Sequence, residues 1–215
     1  MGIINQPPAY YFEAYFSRRY LAHLIHKKRI DKIVSLIPEK SFVLDAGCGS
    51  GIVPFLLASK KNCTGVGIDI RKECVEFASR HVPAFEFYNY DVRNFSLPHR
   101  FDVIVCMEVL EHFDSTDQAK TIGCLDNHLK DGGLLILTFP SKFYFFIEPL
   151  WKQVRKLLHP STVFDDEEHH HAILRGKFVD VLRQMGYTVE KSGLHALGWI
   201  NYIVARRILR FSNIA

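Results

Sequence analysis

Short apolar runs, each ending at a charged, polar or glycine position, recur along this chain at regular intervals. Phe42-Val43-Leu44 stops at Asp45, Gly65-Val-Gly-Ile68 stops at Asp69, and Phe85 to Tyr88, Phe101 to Met107 and Leu134 to Phe139 follow. Runs of four to eight residues bounded by turn signals predict strands buried on both faces. Strands are therefore expected near 41–45, 64–69, 85–89, 101–107 and 133–139. Between them, helix-like periods predict helices near 51–60, 71–80 and 116–129. One long helix is expected from about Ala9 to Leu36, stopped by Pro38, and another near 174–185, closed by Gly186 as a C-cap. Thr188 to Ser192 alternates as a strand does, and Tyr202 to Ile208 suits an antiparallel partner. Strands alternating with helices predict a doubly wound α/β domain around a mostly parallel sheet.

The first strand leads into a turn with glycines at 47, 49 and 51. Such a turn lets backbone N–H groups approach a polar ligand, because no Cβ stands in the way. Eighteen residues past Gly51, Asp69 ends the second strand, where a carboxylate accepts hydrogen bonds from ribose hydroxyls in nucleotide-binding α/β folds. A dinucleotide fingerprint requires its third glycine one residue later, and Ile52 stands there.

The pattern Asp45-x-Gly47-x-Gly49-x-Gly51 resembles instead motif I of the class I S-adenosylmethionine (SAM) methyltransferases. Tyr90-Asp91-Val92, Glu108-Val-Leu-Glu-His112 and Leu129-Lys-Asp-Gly-Gly133 follow in that family's order, and the resemblance is strong over about residues 40 to 141. It implies a seven-stranded, mostly parallel Rossmann-like sheet with a C-terminal antiparallel hairpin. It also implies that Asp45, Gly47, Gly49 and Gly51 shape a loop around the methionine end of SAM. Asp69 then holds the ribose, Asp91 reads the adenine amino group, and Met107 joins the cofactor pocket. The closest motif match is to O-methyltransferases of the ubiquinone pathway, with RNA 2′-O-methyltransferases as the alternative. A SAM-binding subunit without catalysis is a third reading.

Glu108, Glu111 and His112 form an E-x-x-E-H run directly after the fourth strand. On a helix, spacings of three and four residues place all three on one face. The family resemblance associates such residues with Mg²⁺ or Mn²⁺ near the acceptor hydroxyl, and pocket wall is the competing reading. His112 is one candidate base. His170 and His171, in the segment before the helix at Leu174, are others, since an imidazole titrates near pH ~6.5.

Composition sets the remaining bounds. At 215 residues one domain is expected, with 1–40 as an N-terminal helical cap and 142–168 as a substrate-side insertion. No apolar run approaches the ~20 residues of a membrane span, and the N-terminus lacks a secretory pattern. Five cysteines without metal-ligand spacing fit a reducing, cytoplasmic setting. The net charge of +4 is modest for a nucleic-acid enzyme, although residues 1–40 carry seven Lys/Arg against three acids. From Phe143 to Leu158, aromatic and aliphatic residues at helical spacing face Lys152, Arg155 and Lys156. That amphipathic stretch suits a lid over a small apolar or lipid-like acceptor, or peripheral contact of 142–160 with a membrane. Packing on the domain's own core competes with both.

Overall fold

The computed structural model describes residues 7–17, 21–144, 146, 153 and 173–208. In chain order the elements are α1 (Tyr10–Phe16), α2 (Leu21–Leu36), β1 (Phe42–Ala46), α3 (Ile52–Lys61), β2 (Thr64–Asp69), α4 (Lys72–His81) and β3 (Phe85–Asn89). There follow β4 (Phe101–Met107), a single 3₁₀ turn (Leu110–His112), α5 (Ser115–His128), β5 (Leu129–Pro140), α6 (Arg175–Gln184), β6 (Tyr187–His195) and β7 (Ile200–Arg207). The strands form one seven-stranded sheet in the order β3-β2-β1-β4-β5-β7-β6. Strands β1 to β5 pair in parallel, whereas β7 runs antiparallel to both β5 and β6. The mostly parallel sheet with a terminal hairpin is thus as expected.

The unbroken apolar runs have a direct cause in the layering. Alternate side chains of a strand point to opposite faces, and here both faces are covered. Leu44, Ile104, Cys106, Leu135 and Leu137 join Ile122 and Leu125 of α5 and Phe178 and Leu182 of α6 on one face. Val43, Val103, Val105 and Ile136 join Ile30 and Ile33 of α2, Ile37 just past its end, and Leu56 and Leu57 of α3 on the other.

The hairpin strands run longer than the expected 188–192 and 202–208, and two further elements differ from expectation. The long N-terminal helix is two helices, because Ser17 takes an extended conformation (ψ 140°) at the end of α1. No glycine or proline marks that break. Strand β5 begins at Leu129 rather than 133, since Leu129 pairs with Phe101 before the register shifts.

A buried ionic group fixes the hairpin against α5. Arg207, 5% exposed, donates to the carbonyls of Asp126 and Leu129 at 2.7 and 2.6 Å and to the Asp126 carboxylate at 3.3 Å. Tyr187 Oη donates to the same carboxylate at 2.6 Å. Residues 201–215 carry three arginines and no acid, a composition that suggests a solvated face, yet Arg207 is buried.

Candidate active site

The carboxyl ends of β1, β2 and β4 converge on the glycine turn, the place where open α/β sheets bind ligands. Gly47 and Gly51 have φ of +82° and +80°, which L side chains rarely adopt. A Cβ on Gly47 would fall 2.3 Å from Val109 Cγ2, and one on Gly51 would fall 2.9 Å from Ala78 Cβ. The turn is tied to β2 through the amides of Gly47 and Cys48, which donate to the Ile68 carbonyl at 2.8 and 3.0 Å.

Asp69 organises this corner. Its Oδ2 accepts from the Gly49 amide at 2.7 Å and its Oδ1 from the Arg71 amide at 2.9 Å. Burial raises its pKa, and those two amides oppose the rise. Each oxygen keeps a lone pair that a ribose hydroxyl can use. The next residue, Ile70, is 54% exposed. An apolar side chain left in solvent beside Asp69 offers a platform for a flat base, and only its exposure distinguishes it from any strand-end isoleucine.

Asp45 stands at the same corner, 2% exposed. Burial pushes its carboxyl up to about 8, with the charge of Asp69 adding to the rise. Two carboxyls in one dry corner favour a cation. The sulfonium and ammonium of SAM satisfy that demand, and the turn is open at Gly49, where a Cβ would meet nothing within 4 Å, which leaves space for backbone–ligand contact. The residues present therefore fit SAM.

Asp91 lies at the expected place after β3 but is heavily engaged. Its Oδ1 accepts from the Arg93 amide at 2.9 Å and from Arg93 Nε at 3.0 Å, and Arg93 Nη2 meets Oδ2. This pairing holds its carboxyl below the usual range, burial opposing it in part. Arg93 continues to Asp117 at 2.7 Å and lies 5.1 Å from the Phe113 ring centroid. Arg93 was not legible as a partner, because it gives no motif signal. Met107, the last residue of β4, packs against the face formed by α2 and α3.

The expected metal face is not built. Glu108 has φ +53°, and the following residues form a 3₁₀ turn, so helical spacing does not gather Glu108, Glu111 and His112. Glu108 accepts from Thr138 Oγ1 at 2.8 Å and from Arg29 Nη1 at 3.3 Å, while Glu111 is fully buried. Among the described residues, no three His, Cys, Asp or Glu side chains form a metal-binding group. The residues described do not fit a divalent ion, and no step is routed through one. His170 and His171 lie outside the described residues, as do Phe145, Trp151 and most of the 142–168 insertion.

The N-terminal cap covers the neighbouring helices. Phe12 packs on Phe55 and Phe77 at centroid distances of 5.1 and 5.7 Å. Tyr15 is buried, and its hydroxyl donates to Asp31 at 2.6 Å. These two aromatics belong to the core on that face of the sheet. No helix among the described residues is long and apolar enough to cross a membrane.

Known proteins share both the motifs and the fold. Over 123 residues the chain is 32% identical to the ubiquinone biosynthesis O-methyltransferase of Coxiella burnetii, covering 54% of this chain and 51% of that protein. The mitochondrial ubiquinone biosynthesis O-methyltransferase of Schizosaccharomyces pombe is 28% identical over 134 residues, or 57% of this chain and 48% of that protein. The chain thus spans about half the length of the curated relatives it matches. Among solved structures, the SAH-bound magnesium protoporphyrin IX methyltransferase of Synechocystis PCC 6803 superposes with a TM-score of 0.68 at 19% identity, covering 91% of this chain and 94% of that one. A [4+2]-cyclase, SpnF, superposes with the same TM-score at 14% identity, covering 90% and 84%. At such identities the likeness shows the fold alone, and one fold hosts several chemistries. A family profile described as "Methyltransferase domain" matches residues 14–192. With that match spanning most of the chain, and the glycine turn, Asp45 and Asp69 in place, the chain belongs to the SAM-dependent methyltransferase domain family.

Proposed function

We propose that this chain transfers the methyl group of SAM to a hydroxyl oxygen of a small apolar or lipid-like compound. The observation that carries the acceptor class is the set of large apolar side chains exposed beyond the end of β5. Phe143 is 51% exposed, Phe146 84%, Leu194 53% and Leu197 71%. Ser141 ties the start of the insertion to the β6–β7 tip, its amide donating to the Trp199 carbonyl at 2.7 Å and its hydroxyl to the Gly198 carbonyl at 2.6 Å. Large apolar side chains left exposed together are expected to be covered when the protein works. The printed names of the curated relatives, O-methyltransferases of ubiquinone biosynthesis, favour oxygen as the acceptor atom.

In this reading SAM supplies an electrophilic methyl group, and the chain supplies position. Asp45 and the glycine turn hold the methionine end, Asp69 the ribose, and Asp91, oriented by Arg93, the adenine edge. Holding donor and acceptor in line accounts for about 7–11 kcal/mol of barrier reduction in favourable cases. His112, in the 3₁₀ turn beyond β4, takes the hydroxyl proton, with His170 and His171 as the alternatives. Contact of 142–160 with a lipid surface, in a cytoplasmic protein, belongs to the same proposal.

The test is S-adenosylhomocysteine release across alkyl phenols, alkyl catechols and short RNA oligonucleotides. Turnover that rises with alkyl length, and a KM for those compounds raised by Phe143→Ala/Phe146→Ala at unchanged SAM affinity, supports the reading. Methylation of RNA alone refutes the acceptor class. SAM binding without turnover in an untargeted metabolite screen refutes catalysis.

A further inference from the structure

Glu108 opens the loop after β4 in a left-handed conformation, φ +53°, which costs an L residue roughly 1–2 kcal/mol. Three contacts hold it there. Its amide donates to the Thr138 carbonyl at 3.1 Å, its Oε1 accepts from Thr138 Oγ1 at 2.8 Å, and its Oε2 accepts from Arg29 Nη1 at 3.3 Å. The next residue is Val109, whose Cγ2 occupies the space that a Cβ on Gly47 would need. The conformation of Glu108 and the shape of the cofactor turn are therefore one packing arrangement. Arg29 reaches this arrangement from α2, 79 positions earlier in the chain, and its Nη2 meets His26 Nδ1 at 3.1 Å. The Arg29 and Glu108 side chains are 23% and 13% exposed, so solvent screens their attraction only in part.

A carboxylate at this strand end attracts a cation, and the motif resemblance associates that place with a divalent metal, with pocket wall as the competing reading. We propose that Arg29 is the resident cation instead. A guanidinium is always charged, forms directional hydrogen bonds and cannot be removed by a chelator. Arg29 acts as a positioning residue: it holds Glu108 in its left-handed turn and, through Val109, sets the wall of the glycine turn. The acceptor side then needs no added metal to hold its shape. The inference uses no property of the methyl acceptor, so it stands or falls separately from the function proposed above.

The experiment uses Mn²⁺ as probe on the full chain, with bound ion read by electron paramagnetic resonance. Calorimetric titration with S-adenosylhomocysteine, with and without EDTA, runs beside it. The wild type is expected to take up no stoichiometric Mn²⁺, and EDTA is expected to leave its cofactor affinity unchanged. Arg29→Ala, which removes the guanidinium from Glu108 Oε2 and leaves the Thr138 bond to Oε1, is expected to bind Mn²⁺ about tenfold more tightly than the wild type, or more. Adding Glu108→Gln should abolish the gain, and Arg29→Lys, which keeps a cation, should behave as the wild type. Stoichiometric Mn²⁺ on the wild type, lost in Glu108→Gln, overturns the proposal. So does a folded Arg29→Ala variant that gains no Mn²⁺ affinity. Should Arg29→Ala fail to fold, the comparison of wild type with Glu108→Gln still decides between the two.

Discussion

Replacing Asp45 with Asn tests the electrostatics of the cofactor corner. Asp45 is 2% exposed, and its carboxyl is raised to about 8. Set against an ordinary aspartate near ~3.9, that elevation corresponds to roughly 6 kcal/mol of preference for the neutral form. The sign follows from linkage: the folded chain keeps a proton that the unfolded chain has released. Stability from this group is complete below pH ~4 and declines by about 1.4 kcal/mol per unit as pH rises toward 8. Asn keeps the shape and cannot ionise, so the variant should lose this slope and be more stable than the wild type near pH 8. Cofactor binding should move the opposite way. The SAM cation favours ionised Asp45, so the wild type should release close to one proton on binding, and its affinity should rise by up to about tenfold per pH unit from 6 to 8. Asn should flatten that rise and weaken binding at pH 8 by about 10- to 100-fold, the range for a charge-assisted partner worth ~1.5–3 kcal/mol. Urea unfolding from pH 5 to 9 measures the first effect. Calorimetry in buffers of different ionisation enthalpy counts the proton. Equal slopes in both proteins, with no proton released by the wild type, would refute the reasoning.

Asp69→Ala removes the tether from the Gly49 and Arg71 amides together with the carboxylate proposed to hold the ribose, and should weaken S-adenosylhomocysteine binding by at least about tenfold in calorimetry. Tight NAD binding without SAM binding in the same assay would overturn the cofactor assignment. Gly47→Ala must push Val109 aside and strain a φ of +82°, so cofactor binding should be lost with a destabilisation of roughly 1–3 kcal/mol on urea unfolding. Arg207→Met takes the cation away from the buried Asp126 carboxylate, which keeps Tyr187 Oη, and should cost about 3–5 kcal/mol in chemical denaturation, whereas a loss below ~1 kcal/mol would mean that the hairpin is held by packing alone. Phe146→Ala, at a side chain 84% exposed, should leave stability within ~0.5 kcal/mol, so any change in acceptor KM reports on the acceptor side and not on folding.

The order of strands and helices was legible in the residues, because it depends on neighbours. A strand buried on both faces must be apolar at every position, as Val43-Leu44 and Val103 to Cys106 are, and the run itself records that burial. The glycine turn was legible for a similar reason, since only glycine tolerates the close approach at Gly47, and Asp69 ends a strand whose length fixes its place. Tertiary structure decided what local pattern does not encode: the partners of charged side chains and the conformation of a strained residue. Glu108, Glu111 and His112 have helical spacing, yet contacts with Thr138 and with Arg29, 79 residues distant, draw Glu108 into a left-handed turn and undo that spacing. Arg207 reads as surface charge in a basic tail, yet it is buried against Asp126, 81 residues away. Periodicity reports which side of an element is dry. It carries no information on which distant group will meet a given charge there, because that pairing arises only once the sheet has brought the elements together.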